Sequence, residues 1–154
     1  MKLFILRHGE AIPDFMNDDA RALTEVGIAN AKAQGQRLAK LIDTVDLMAV
    51  SPLVRTQQTA DYVSESVNVA TREVWPELLH GASPQPAEAK LCANAFSSVL
   101  FVSHMPLVAS LESYLVNAEP MSGRAFQTAE LSVLESDECY PGAWKLLARY
   151  RAND

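Results

Sequence analysis

The sequence predicts an α/β protein, and three observations carry the prediction. Short apolar runs of strand length alternate along the chain with longer segments of helical period. Several of those runs lead directly into a segment that starts like a helix. The last two periodic segments alternate apolar and polar residues on either side of a turn, as an antiparallel hairpin does.

The first strand is the run Leu3-Phe4-Ile5-Leu6. It stops where Gly9 frees the backbone, which leaves Arg7, His8 and Glu10 at its carboxyl end. In open α/β sheets ligands bind at that edge. An imidazole beside a guanidinium suits nucleophilic chemistry on an anion: arginine forks onto phosphate oxygens, and a neutral histidine nitrogen can attack phosphorus. Ala11 to Ala22 is an acidic, irregular loop whose length suggests that it borders a site. Arg21 is its only cation, either a solvated charge or a further oxygen-binding arm. Thr24 caps a helix that runs to about Ile42, with Gly27, Ala31, Gly35, Leu38 and Ile42 on one face. Each glycine costs about 1 kcal/mol of helix propensity relative to alanine, so close packing against a sheet is the expected reason for them.

Asp46 to Val50 reads as the second strand. It leads into Ser51-Pro52-Leu53-Val54-Arg55, a helix start with Ser51 as N-cap and Pro52 at the first helical position. Arg55 then lies near the first turn. A cation there opposes the helix dipole, so helix stability alone would not choose it, whereas a phosphate would. Thr71 to Trp75 is a short strand, and Pro76 to Pro84 is a loop whose titratable groups are Glu77 and His80. Pro86 to Phe96 is helix-like. Ser98 to Val102 is a continuous apolar strand ending at Ser103-His104-Met105-Pro106, before a helix with Leu107, Val108, Leu111 and Leu115 inside. Phe126 to Leu134 and Ala143 to Tyr150 alternate around the turn Asp137 to Gly142 and close the sheet as a hairpin.

With 154 residues, the expected organisation is one domain over 1–154. Hydrophobic residues at 49% and charged residues at 21% are ordinary for a globular chain. A net charge of -6 argues against a nucleic-acid surface or a polybasic membrane patch. Leu3 to Leu6 is too short for a signal peptide, and no apolar run approaches membrane-spanning length. Cys92 and Cys139 lie far apart with no CxxC motif, so free buried thiols in a reducing compartment are expected, and with them a cytoplasmic location. Nothing in the sequence demands an oligomer.

Three strand ends thus deliver Arg7 with His8, Arg55, and His104. If those strands are neighbours, two guanidiniums and two imidazoles converge, a set suited to a tetrahedral dianion. Two arginines would repel a metal ion, and no carboxylate or thiolate cluster accompanies the histidines, so neither metal nor cofactor is expected. No GxSxG elbow and no Walker A loop occur.

At this point the chain resembles the histidine phosphatase superfamily, the phosphoglycerate mutase-like fold. The resemblance is carried by Arg7-His8-Gly9-Glu10, Leu23-Thr24-Glu25-Val26-Gly27, the run from Ser51 to Ala60, and Val102-Ser103-His104-Met105-Pro106, in the family's order. The small size, Arg21 to Thr24, and Pro76-Glu77-Leu78 look most like its short phosphohistidine phosphatases. The resemblance implies a three-layer α/β/α domain, mostly parallel with one antiparallel strand. It implies that His8 is the nucleophile, that Arg7, Arg55 and His104 bind the phosphoryl oxygens, and that Glu77 is the nearest positional match to the family's general acid. The expected activity is metal-independent removal of phosphoryl groups from a phosphohistidine-bearing protein, such as a histidine phosphotransfer domain in signalling. A small-molecule phosphomonoesterase or mutase is the alternative in chemistry, and a non-catalytic phosphate-binding module the alternative in class.

Overall fold

The structure is a computed structural model and describes residues 1–14 and 16–154, so position 15 of the predicted acidic loop lies outside the described residues. The strands are β1 (Lys2–Arg7), β2 (Thr44–Val50), β3 (Asn68–Val74), β4 (Ser98–Ser103), β5 (Leu131–Glu135) and β6 (Lys145–Tyr150). They form one sheet in the order β3-β2-β4-β1-β5-β6. β3, β2, β4 and β1 pair in parallel, and β5 runs antiparallel to both β1 and β6. The expected single antiparallel strand is therefore β5.

The helices are α1 (Glu25–Leu41), α2 (Val54–Val63), α3 (Pro84–Cys92) and α4 (Leu107–Asn117). Strand alternation sorts them into two outer layers. Phe4, Leu6, Met48, Val50, Leu100 and Val102 pack with Leu38 of α1 and with Ala60 and Val63 of α2. Leu3, Ile5, Leu47, Ala49, Val99 and Phe101 face the other way, onto Ala87 and Leu91 of α3 and Leu107, Val108 and Leu111 of α4. Each central strand is apolar on both faces because each face is covered by helices.

Thr24 caps α1 as expected, its hydroxyl accepting from the Gly27 amide at 3.0 Å. The glycines of α1 serve two different contacts rather than one face of a sheet. A Cβ on Gly27 would stand 2.1 Å from the Glu10 carbonyl oxygen in the turn after β1, and one on Gly35 would stand 2.8 Å from the Val63 carbonyl oxygen of α2.

Two further expectations change. α2 begins at Val54 with Leu53 as N-cap, not at Ser51. Ser51 and Pro52 stay outside the helix because the Ser51 carbonyl accepts from Thr56 Oγ1 and Gln57 Nε2, both at 2.8 Å. Cys92 and Cys139 are not free thiols: they form a disulfide that ties the end of α3 to the turn between β5 and β6. The thiol argument for a reducing compartment falls with that pairing. Among the described residues no helix is long and apolar enough to cross a membrane.

Candidate active site

The parallel strands β2, β4 and β1 are adjacent and in register, so their carboxyl ends stand side by side. Arg7 closes β1, Ser51 follows β2, and His104 follows β4. His8 continues the β1 ladder by one bond, its amide donating to the Ser103 carbonyl at 3.0 Å, and its own carbonyl accepts from the Ala129 amide at 2.9 Å. The backbone of His8 is thereby fixed between the end of β4 and the turn that precedes β5.

The ring of His8 has a defined chemical orientation. Nδ1 lies 2.7 Å from the Gly9 carbonyl oxygen, which can only accept, so Nδ1 carries the hydrogen and Nε2 carries the lone pair. Burial pushes the ring's pKa down to about 4; Arg55, Arg7 and Arg21 push the same way, against the Gly9 hydrogen bond. His8 is therefore neutral at physiological pH. His104, centroid to centroid 5.2 Å away, is pushed down to about 3, by burial first and then by His8, Arg55 and His80. A hydrogen bond of 2.7 Å between Ser51 Oγ and His104 Nε2 fixes that ring. His104 Nδ1 is buried and has no hydrogen-bond partner among the described residues, and the same holds for Nε of Arg7 and Nε of Arg55. Buried polar nitrogens without partners are uncommon in native proteins, and three of the five among the described residues belong to this cluster, the other two being Trp144 Nε1 and Arg149 Nε.

The arginines are held at their other nitrogens. Arg7 donates to the Phe126 carbonyl at 2.7 Å. Burial draws Arg7 below the usual arginine range, opposed by Glu130, and it remains a cation at neutral pH. Arg149 secures this flank: it bonds Glu112 and, at 3.1 Å, Glu130, and covers the Phe126 ring at 4.6 Å. Arg55, nearly fully buried on the first turn of α2, donates to the Asp18 carbonyl at 2.9 Å and to Asp18 Oδ2 at 3.3 Å.

Gln58 Oε1 accepts from the Leu23 amide at 2.8 Å. Thr59 Oγ1 accepts from the Gly9 amide at 3.1 Å and donates to the Arg55 carbonyl at 2.8 Å. α2 thereby holds both its own arginine and the turn that carries His8.

The structure thus brings together Arg7, His8, Arg55 and His104. Arg21 reaches the rim: its Nε donates to the Ile12 carbonyl at 3.0 Å, and it pairs with Asp18 at 3.2 Å. Glu77 is turned toward α3, paired with Lys90 at 3.3 Å, while Lys90 covers the Trp75 ring at 4.6 Å. Sequence reasoning missed Asp18 and His80 as members of the site. Asp18 gathers Arg55, Arg21 and, at 3.7 Å, His80, and hydrogen bonding to Arg21 leads the causes that hold its carboxyl below the usual range. Ser51 was legible as a special position but not as the partner of His104.

A hollow of about 690 Å³, lined by Met1, Lys2, Ser97 and Glu135 among others, opens at the opposite end of the same strands. Size does not locate the chemistry here; the converging donors do. The one grouping of three metal-type ligands among the described residues is Glu88 with Cys92 and Cys139, whose sulfurs are bonded to each other.

Fold and strand-end arrangement together define a protein of the phosphoglycerate mutase-like α/β class. The chain belongs to the histidine phosphatase superfamily (branch 1), whose model matches residues 3–90. It is 32% identical over 150 residues to the phosphohistidine phosphatase SixA of Escherichia coli (strain K12), covering 94% of this chain and 91% of that protein. It is 35% identical over 126 residues to the SixA homolog of Haemophilus influenzae, covering 75% of this chain and 77% of that one. The solved structure of the protein histidine phosphatase SixA complexed with tungstate matches with a TM-score of 0.89 at 28% identity, over 99% of this chain and 98% of the other.

Proposed function

We propose that this protein is a metal-independent phosphohistidine phosphatase that works through a phosphorylated His8. The observation that carries the proposal is the buried, neutral ring of His8, whose Nε2 is left with a lone pair by the Nδ1–Gly9 hydrogen bond, set among Arg7, Arg55 and His104 at neighbouring strand ends. Nε2 attacks phosphorus and the substrate's P–N bond breaks, leaving phospho-His8, which water then hydrolyses. Arg7, Arg55 and His104 donate to the oxygens over which charge spreads. Each charged hydrogen bond contributes about 1.5–3 kcal/mol, so three such donors supply a large share of the rate. Arg21 adds positive charge at the rim. Glu77 serves as an acid only if its carboxyl leaves Lys90.

The substrate class follows from what covers the site. Between β3 and β4 the chain has one turn, Pro76–Leu78, and the helix α3. That is too little for a deep lid, and a small sugar phosphate needs surrounding contacts to be positioned and shielded from water. A side chain presented on a protein surface does not. The substrate is a phosphohistidine-bearing protein such as a histidine phosphotransfer domain. The proposed site of action is the cytoplasm, and the Cys92–Cys139 bond would have to persist there. A side-by-side panel tests the reading, with phosphohistidine proteins, phosphoglycerates, sugar phosphates and phosphoserine peptides at one salt concentration and EDTA throughout. The expected result is highest kcat/KM on a phosphohistidine protein, and rapid quenching that traps an acid-labile, alkali-stable phosphoprotein absent from His8→Ala. Faster turnover of a small phosphomonoester than of every phosphohistidine protein would transfer the chain to the small-molecule phosphatases. Loss of activity in EDTA would end the metal-free mechanism.

A further inference from the structure

We propose that His80 is the proton-transfer residue of this site and that Asp18 positions it. The inference rests on the phosphatase reading and moves to His80 the acid role expected of Glu77.

Three imidazoles stand in a row. The rings of His8 and His104 are 5.2 Å apart and those of His104 and His80 5.5 Å apart, centroid to centroid. The first two are buried and neutral, whereas the His80 side chain is 48% exposed. Its Nε2 faces Asp18 Oδ2 at 3.7 Å. The same oxygen takes Arg55 at 3.3 Å, and Oδ1 takes Arg21 at 3.2 Å. The groups facing His80 are therefore Asp18, with Arg55 and Arg21 beyond it, and His104 on the other side. Glu77, in the same loop, is engaged by Lys90 instead.

Elimination within this set points the same way. Guanidiniums do not release protons. His8 and His104 are held neutral by burial. Asp18 is held ionised by Arg21 and Arg55. His80 is left as the solvent-exposed imidazole, with a carboxylate facing it.

The step balances as follows. As Nε2 of His8 bonds to phosphorus, the electron pair of the breaking P–N bond stays on the departing ring nitrogen, which takes the proton of His80. Without that proton the ring would leave as an imidazolate. In the second half a water molecule attacks phospho-His8, one of its protons goes to His80, and the bond pair returns to Nε2 as inorganic phosphate departs. One residue thus acts as acid and then as base.

An aryl phosphate series from 4-nitrophenyl to phenyl phosphate tests this without any phosphohistidine protein, so its result stands whether or not the protein panel succeeds. His80→Gln should raise the ratio of kcat/KM between 4-nitrophenyl and phenyl phosphate at least about tenfold, because general acids typically contribute 10²–10⁴ where the leaving group is poor. It should also abolish the alkaline fall of the phenyl phosphate rate. Circular dichroism and inhibition by inorganic phosphate report that fold and anion site persist. An unchanged ratio and an unchanged alkaline limb in His80→Gln overturn the proposal, as does the same change of ratio in Glu77→Gln.

Discussion

A single imidazole shows how far burial governs this molecule. An ordinary histidine is half protonated near pH 6.5, yet His8 titrates at about 4 and His104 at about 3. Both folded-state values lie below the unfolded one, so the unfolded chain takes up protons first. Stability from these two rings is complete above about pH 6.5 and is lost as pH falls toward their folded values, at up to about 1.4 kcal/mol per pH unit for each ring. Urea unfolding from pH 7.5 to 5 should give a wild-type slope that flattens in His8→Gln and again in the double variant with His104→Gln. Equal slopes in all three would mean that the rings are not buried neutral. At this scale Arg7, His8, Arg55 and His104 were legible in the sequence because each stands where an apolar strand ends or a helix begins. Asp18 and His80 were not, because loops carry no period to say which way a side chain points. Ser51 misled for a physical reason: a serine before a proline satisfies the rule for a helix cap, and its hydroxyl was needed by an imidazole from another strand.

Among the elements, α1 sets propensity against packing most plainly. Alanine is favoured over glycine in a helix by about 1 kcal/mol. A methyl group at Gly27, however, would meet the backbone of Glu10 at 2.1 Å, and backbone cannot swing aside as a flexible side chain can. Overpacking typically costs 1–3 kcal/mol and here exceeds the gain. Gly27→Ala should therefore lower the urea midpoint and, by displacing the turn that carries His8, lower kcat as well. A stabilised, fully active variant would show that the turn yields freely. Most elements were readable from period alone, since strands apolar on both faces and helices with one apolar stripe leave different patterns. The segment from Phe126 to Ala129 was not. Its alternation resembles a strand, but Ala129 adopts φ 57, and Phe126 is buried beneath Arg149 rather than paired in the sheet. Apolar spacing reports burial, and a loop pinned over a core satisfies it as well as a strand does.

For the molecule as a whole, the disulfide is the feature that sequence spacing could not supply, because two cysteines 47 residues apart say nothing of whether their Cβ atoms meet. Closing a loop of that length lowers unfolded-chain entropy by an amount equivalent to about 4 kcal/mol on the chain-entropy model. Reduction, or Cys92→Ser, should lower Tm markedly while leaving kcat/KM on an aryl phosphate within twofold, since Cys139 follows β5 at the end of the sheet remote from His8. An unaltered Tm would mean that the bond constrains little. The order of the sheet, by contrast, has a consequence for how the chain comes to exist. β1 sits in the middle of the sheet and precedes both of its neighbours in the chain, which begin at Ser98 and Leu131. During synthesis β1 emerges with both flanks bare, and neither is covered until the chain has reached β4. Such distant pairings are slow and expose strand edges while they form. The strand that waits longest for a neighbour is thus the one whose carboxyl end holds Arg7 and His8.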